Sequence, residues 1–387
     1  MARLPYWRLS GFYFCYFALL GGVAPFLSLY FHHLGFSAAR IGELVAIPML
    51  MRCLAPNLWG WLGDRSGQRL LIVRLGALLT ALTFSAILWR QDYVWLAVIM
   101  ALHSFFWHAV LPQFETITLG HLGAQSARYS QIRLWGSVGF IVTVVVLGLL
   151  LDSYSPDIYP QAMLAIMLGI FCCSLLVPAA PLAASRPELA GSTGFLGQLW
   201  RPGVPVFFFC VALMQLSHGP YYTFLTLHLE ALGYGRALIG SMWALGVVAE
   251  IILFMLMSRL LQRFSLKQLP IASFLLAAVR WLLLGLQADN LAWLTLAQLM
   301  HAATFGCFHV VAVHFVQRSF GERQQGQGQA LYATLAGCGG ALGALYSGYS
   351  WNSLGAGWTF ALASLAAVLA ALLLWWWMRE PAAEPAH

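Results

Sequence analysis

The stretch from Leu34 to Leu71 returns 198 residues later with no insertion. Leu34, Gly35, Ile41, Gly42, Ala46, Leu62, Arg65 and Leu71 recur as Leu232, Gly233, Ile239, Gly240, Ala244, Leu260, Arg263 and Leu269. Phe36 answers Tyr234, and Arg69 answers Lys267. Further on, Trp95, Leu96 and His103 recur as Trp293, Leu294 and His301. A chain that repeats itself at one fixed offset is built from two copies of one unit. One pair inverts its charge: Arg52 stands where the second copy has Glu250.

The repeated unit is apolar because the chain has little else. Of its 387 residues 61% are hydrophobic and 9% are charged. An ordinary soluble domain carries about 25% charged residues, so most of this surface belongs in lipid. A spanning helix takes ~20 apolar residues. Twelve segments meet that need, near 6–31, 38–62, 70–89, 94–120, 129–151, 159–182, 203–229, 236–258, 268–287, 291–317, 327–350 and 356–378. The expected fold is all-α, with twelve transmembrane helices in two pseudo-symmetric six-helix bundles, 1–184 and 202–387. A Pro-, Gly- and Ser-rich linker, 185–201, joins them. Two such halves around an axis along the membrane normal make a rocking carrier.

Charge orients the bundle. With both termini on one side, that side holds Arg3, Arg8, Arg65, Arg69, Arg74, Arg128, Arg186, Arg201, Arg259, Arg263, Lys267, Arg318, Arg323 and Arg379. The other side holds Arg40, Arg90 and Arg236. Basic loops stay in the cytoplasm, so both termini and the linker are expected there, in a plasma (inner) membrane. The formal charge of +7 is dispersed over loops, so no nucleic-acid partner is expected. The N-terminal apolar stretch reads as the first span, not a cleaved leader. The seven cysteines fall in apolar segments without metal spacing, so neither a disulfide nor a metal site is expected. His301 and His309 share a helix, yet eight residues apart they make no metal pair, and no His-Glu-x-x-His occurs. No nucleotide-binding motif is present, and no cofactor is expected.

Five ions stand inside spans: Arg52, Glu115, Arg133, Glu250 and Arg280. An ion at that depth is expensive and is kept for a water-facing cavity or for pairing. Arginine offers a planar donor fork suited to a carboxylate or to vicinal hydroxyls. An intramembrane enzyme would need a nucleophile with its base, paired aspartates or zinc ligands, and none is present.

Gly60-Trp61-Leu62-Gly63-Asp64-Arg65-Ser66-Gly67-Gln68-Arg69 resembles the loop between spans two and three of the major facilitator superfamily. Tyr129 to Gly139, Leu245 to Glu250, Val279-Arg280-Trp281 and Gln298 to His301 resemble the phenylpropionate permease branch, related to lactose-permease-type proton symporters. The resemblance implies the twelve-helix major facilitator fold. It implies a conformational latch at Gly60, Asp64, Arg65, Gly67 and Arg69. Gly60 and Gly63 would admit close helix contact, Asp64 would face a helix N-terminus, and Arg65 a carboxylate or helix end. Gln262 replaces the aspartate in the second copy, so one latch is expected.

The same resemblance puts the substrate on Glu115, Arg133, Arg280 and His301. Phe140 falls where the lactose-permease type stacks an aromatic ring on sugar. Three residues beyond the histidine the family has a proton-coupling carboxylate; here it is Thr304. The proton then falls to Glu250, with Glu115 as the second candidate, since a carboxylate moving between dry and arginine-lined surroundings can load and release one. The expected activity is proton-coupled symport of a small organic solute by a monomer, an aromatic or other organic acid being favoured. A sugar or nucleoside symporter, or a drug or metabolite exporter of the same fold, stays open.

Overall fold

The computed structural model describes residues 4–180, 194–320 and 324–378. Arg3, Arg186, Arg323 and Arg379 of the charge count, and 185–193 of the linker, lie outside the described residues. The helices are α1 Tyr6–His33, α2 Ala38–Ser66, α3 Arg69–Ser85, α4 Tyr93–Leu122, α5 Tyr129–Ser153, α6 Tyr159–Leu176 and the short α7 Phe195–Leu199. They continue as α8 Val204–Ser217, α9 Gly219–Ala231, α10 Arg236–Arg263, α11 Gln268–Leu286, α12 Leu291–Leu299, α13 Phe308–Ser319 and α14 Gln325–Trp377. A π-helical turn, Ala302–Cys307, joins α12 to α13. The protein is all-helical among the described residues, with no strand.

Nine helical stretches among the described residues are long and apolar enough to cross a membrane. Two are of double length. Tyr93–Ser153 contains both α4 and α5. The 53-residue α14 breaks at Gly355, where φ is 83° and ψ 169°. The span near 203–229 is interrupted at His218, and Gly219-Pro220 opens α9.

The chain divides into two compact units. One is Met1–Ser185 with Tyr222–Ala244; the other is Arg186–Tyr221 with Leu245–His387. The segment Tyr222–Ala244 joins the first unit through α5. The Asp152 carboxylate accepts from the backbone N–H groups of Arg236 and Ala237 at 2.7 and 2.8 Å, capping α10. Free N–H groups at a helix start attract an anion in this way. Arg236 in turn donates to Glu230 at 2.8 Å and to the Leu151 carbonyl at 2.7 Å.

The repeat is visible in the backbone. After α1, Leu34, Gly35 and Phe36 donate to Tyr30, His32 and Phe31. After α9, Leu232, Gly233 and Tyr234 donate to His228, Glu230 and Leu229, the same offsets. This helix stop needs a left-handed residue, and glycine supplies it twice, with φ 84° at Gly35 and 88° at Gly233. Helix starts match too: Asp92 caps α4 and Asn290 caps α12. Within each unit a small-residue helix packs on the first helix. A Cβ at Gly139 of α5 would strike the Phe14 backbone of α1, and one at Gly339 of α14 the Ala212 backbone of α8. Close backbone approach of this kind holds helices together in lipid, where the hydrophobic effect between them is lost.

Candidate functional site

In the first unit Glu115 comes from α4 and Arg133 from α5. Tyr129, opening α5, donates its hydroxyl to the Glu115 carboxylate at 3.1 Å. The Arg133 guanidinium lies 3.7 Å from the centre of the Phe17 ring and 5.9 Å from that of Tyr13, both on α1. Stacking on aromatic faces lets a guanidinium sit in an apolar layer without an anion. Glu115 and Arg133 form no ion pair among the described residues, but each is within electrostatic reach of the other. Phe140 is two turns from Arg133 on α5, buried, with its carbonyl against Gly21 of α1. The aromatic at the arginine is therefore Phe17, which sequence reasoning missed. With 14% aromatic residues in the chain, no single ring stands out.

The other ion of this unit, Arg52, sits midway along α2 and is exposed. His103, the repeat partner of His301, is sealed. It packs edge-on to Phe84 and stacks at 6.1 Å on Trp107.

The residues expected to form a latch occupy the end of α2 and the α2–α3 junction. Asp64 is bonded to Arg69, not to another helix's N-terminus. Arg69 also donates to the Gln113 side chain of α4 at 2.6 Å, and Gln113 donates to the Trp59 carbonyl of α2 at 3.2 Å. The charge pair thus ties three helices. Arg65 lies over the Trp61 ring at 5.5 Å, where a carboxylate or helix end was expected. Of the two glycines expected at a helix contact, Gly63 is one: a Cβ there would meet Gln113 Oε1 at 2.5 Å. Gly60 faces open space. Gly67 ends α2 with φ 67°. In the second unit Gln262 stands at the aspartate position, and Lys267 donates instead to the Trp375 carbonyl at 2.8 Å.

The second unit gathers Arg280, His301 and Glu250. Arg280 of α11 is fully buried. Its Nε donates to the Ala297 carbonyl at 2.8 Å and its Nη1 to Thr304 Oγ1 at 2.9 Å. Nη1 also meets His301 Nδ1 at 3.1 Å, and Nη2 reaches Gln298 Oε1 at 3.4 Å. The Tyr221 ring lies 4.2 Å beneath the guanidinium, and its hydroxyl donates to Gln298 at 3.1 Å. Thr304, standing where the resemblance implies a carboxylate, is thus a hydrogen-bond partner of the arginine.

These bonds fix a tautomer. Arginine can only donate, so His301 Nδ1 accepts and its proton sits on Nε2. That atom lies 3.8 Å from Glu250 Oε2, within ion-pair range but longer than a hydrogen bond. Gly306 makes room for the carboxylate, since a Cβ there would come 3.0 Å from Glu250 Cγ. His301 and Thr304, three residues apart and so on one helical face, both reach Arg280 Nη1, at the start of a π-helical turn, a form concentrated at functional sites. Rings continue the line: His301 stacks on Tyr221 at 5.6 Å and on Phe305 at 5.3 Å, and Phe305 on His309 at 6.3 Å. Among the described residues no cluster of three His, Cys, Asp or Glu could hold a metal ion.

Known proteins resemble the chain along its length. The model of the MFS_1 like family matches residues 6–362. The "Probable 3-phenylpropionic acid transporter" of Escherichia coli (strain K12) is 29% identical over 366 residues, covering 92% of this chain and 94% of that protein. The maltose permease of Geobacillus stearothermophilus is 28% identical over 352 residues, with 87% and 84% covered. Among solved structures, the nucleoside transporter NupG superposes with a TM-score of 0.81 at 18% identity, covering 97% of this chain and 98% of that one.

Proposed function

The chain belongs to the MFS_1 like family, and from that premise we propose a secondary active carrier that symports a small organic acid with protons by alternating access. Its relatives and its fold are those of membrane transporters of the major facilitator type, which are not enzymes. The favoured cargo is an aromatic acid, in keeping with the name of the Escherichia coli relative. The carrier acts as a monomer in the plasma (inner) membrane, with both termini in the cytoplasm. Its working parts are six-helix bundles, 1–184 and 202–387, joined by 185–201.

The observation that carries the reading is the line Arg280–His301–Glu250. Arg280 occupies the Nδ1 lone pair of His301 and turns the Nε2–H toward Glu250. The carboxylate is the titrating end of that line, and Glu250 takes the proton that Thr304 cannot. An exposed carboxylate would titrate without consequence. Glu250 lies one side chain from a fixed imidazole, and its own negative charge appears or vanishes beside the Arg280–His301 pair as it titrates, which is how a proton biases a conformational equilibrium. Arg133 on Phe17, with Glu115 beside it, holds the solute.

Proteoliposomes test this. With an acidic exterior they accumulate 3-phenylpropionate, and a protonophore abolishes the accumulation. Uptake indifferent to the proton gradient removes the coupling. The maltose permease relative keeps sugar as a second cargo. Uptake of maltose or a nucleoside with none of the acid would replace the first reading by the second.

A further inference from the structure

The four other ions inside spans have neighbours that account for them. Glu115 has Tyr129, Arg133 has Phe17, Arg280 has its acceptors, and Glu250 has His301. Arg52 is different. It lies mid-helix in α2 between Pro48 and Pro56, exposed, with no hydrogen bond, ion pair or ring contact among the described residues. A bare guanidinium at mid-span costs several kcal/mol unless water or a solute reaches it. It does not sit apart from the other charges. Tyr16 of α1, fully buried, is within electrostatic reach of Arg52, Glu115 and Arg133 together. His108 of α4 also feels Arg52 and reaches the Pro48 backbone one turn away. The first unit therefore gathers two guanidinium groups and one carboxylate around Tyr16, and one positive charge is left over.

We propose that Arg52 is a specificity-determining residue that binds the carboxylate of the transported solute and makes the carrier select organic monoanions over neutral molecules of the same shape. The proposal rests on the organic-acid reading above and adds the atom group that reads the charge. Arg133 is occupied by its ring and shares its field with Glu115. Arg52 sits exposed, without the rings that face Arg133 or the acceptors that hold Arg280, and its donor fork matches a carboxylate. The repeat fits this division, because the second unit holds its own titrating carboxylate, Glu250, at the same position.

The test compares binding of 3-phenylpropionate and of the neutral 3-phenylpropanol to the purified full-length protein, by titration of thermal stability. Wild type is expected to bind the acid more tightly than the alcohol. Arg52→Gln is expected to weaken acid binding roughly 10- to 100-fold, the loss of a charge-assisted hydrogen bond, and to leave the alcohol within about twofold. Arg52→Lys, which keeps the charge and loses the fork, should fall between. Should the glutamine variant not fold, the lysine variant decides by the same criterion, a lower acid-to-alcohol ratio at unchanged alcohol affinity. Unchanged acid binding in the variants overturns the role of Arg52 and leaves the organic-acid reading standing. Equal loss of acid and alcohol overturns it too, as the mark of a merely structural residue. A wild type that binds the alcohol alone, or neither compound, overturns both.

Discussion

The two units share a scaffold and handle charge in opposite ways. The turns after α1 and α9 agree bond for bond, and α4 and α12 start on capping residues at matched positions. Yet Arg280 is buried with hydrogen bonds to Ala297 and Thr304, while among the described residues Arg52 makes no hydrogen bond, ion pair or ring contact and Arg133 stacks on Phe17. At the matched positions 52 and 250 the sign itself is reversed. Duplication supplied the helices, and divergence placed the ions. One copy leaves Arg52 and Arg133 without an anion in hydrogen-bond contact among the described residues. The other ties its cation into a network that ends on a titratable carboxylate.

Breaking the network of the second unit should have the largest effect. Arg280→Met removes the donor for the Ala297 carbonyl, Thr304 and Gln298. Leaving such buried acceptors unsatisfied costs about 1–3 kcal/mol each. The expected result is a protein with a markedly lower melting temperature and no transport; normal stability would mean the network is not structural. Removing the ring-stacked arginine of the first unit, Arg133→Ala, should spare the fold. It is expected to insert and melt like wild type, with uptake reduced roughly 10- to 100-fold by loss of a charge-assisted contact to the solute. Normal uptake by that variant takes Arg133 out of the site.

The latch gives the smallest effect of the three. A methyl group at Gly63 meets Gln113 Oε1 and pushes it from Arg69. Overpacking of this kind costs about 1–3 kcal/mol. Gly63→Ala should slow turnover without changing solute affinity, measured as transport rate against binding. Gly60→Ala, facing open space, should be silent. Equal effects at Gly60 and Gly63 would remove the reason for distinguishing them.

How much of this could be read in the sequence differs between scaffold and site. Leu34-Gly35 and Leu232-Gly233 announced the paired turns, because only glycine suits that backbone and its recurrence is visible. The ions were legible as well, since a charge in an apolar run has few cheap explanations. Their partners were not. Asp64 was expected at a helix end and found Arg69; Arg65 was expected at a carboxylate and found Trp61. A side chain's partner depends on how helices rotate against each other, which composition does not encode. The π-helical turn was equally hidden. Ala302 to Cys307 is an ordinary helical run in sequence, and the bracket that His301 and Thr304 form around Arg280 appears only in three dimensions.

The central claim is that Glu250 carries the proton. It is tested most directly by recording internal pH in proteoliposomes while 3-phenylpropionate is supplied outside. Wild type should acidify the lumen only when the solute is present. Glu250→Gln should still exchange labelled for unlabelled solute, with no proton movement. Solute-dependent acidification of normal size in Glu250→Gln would contradict the account.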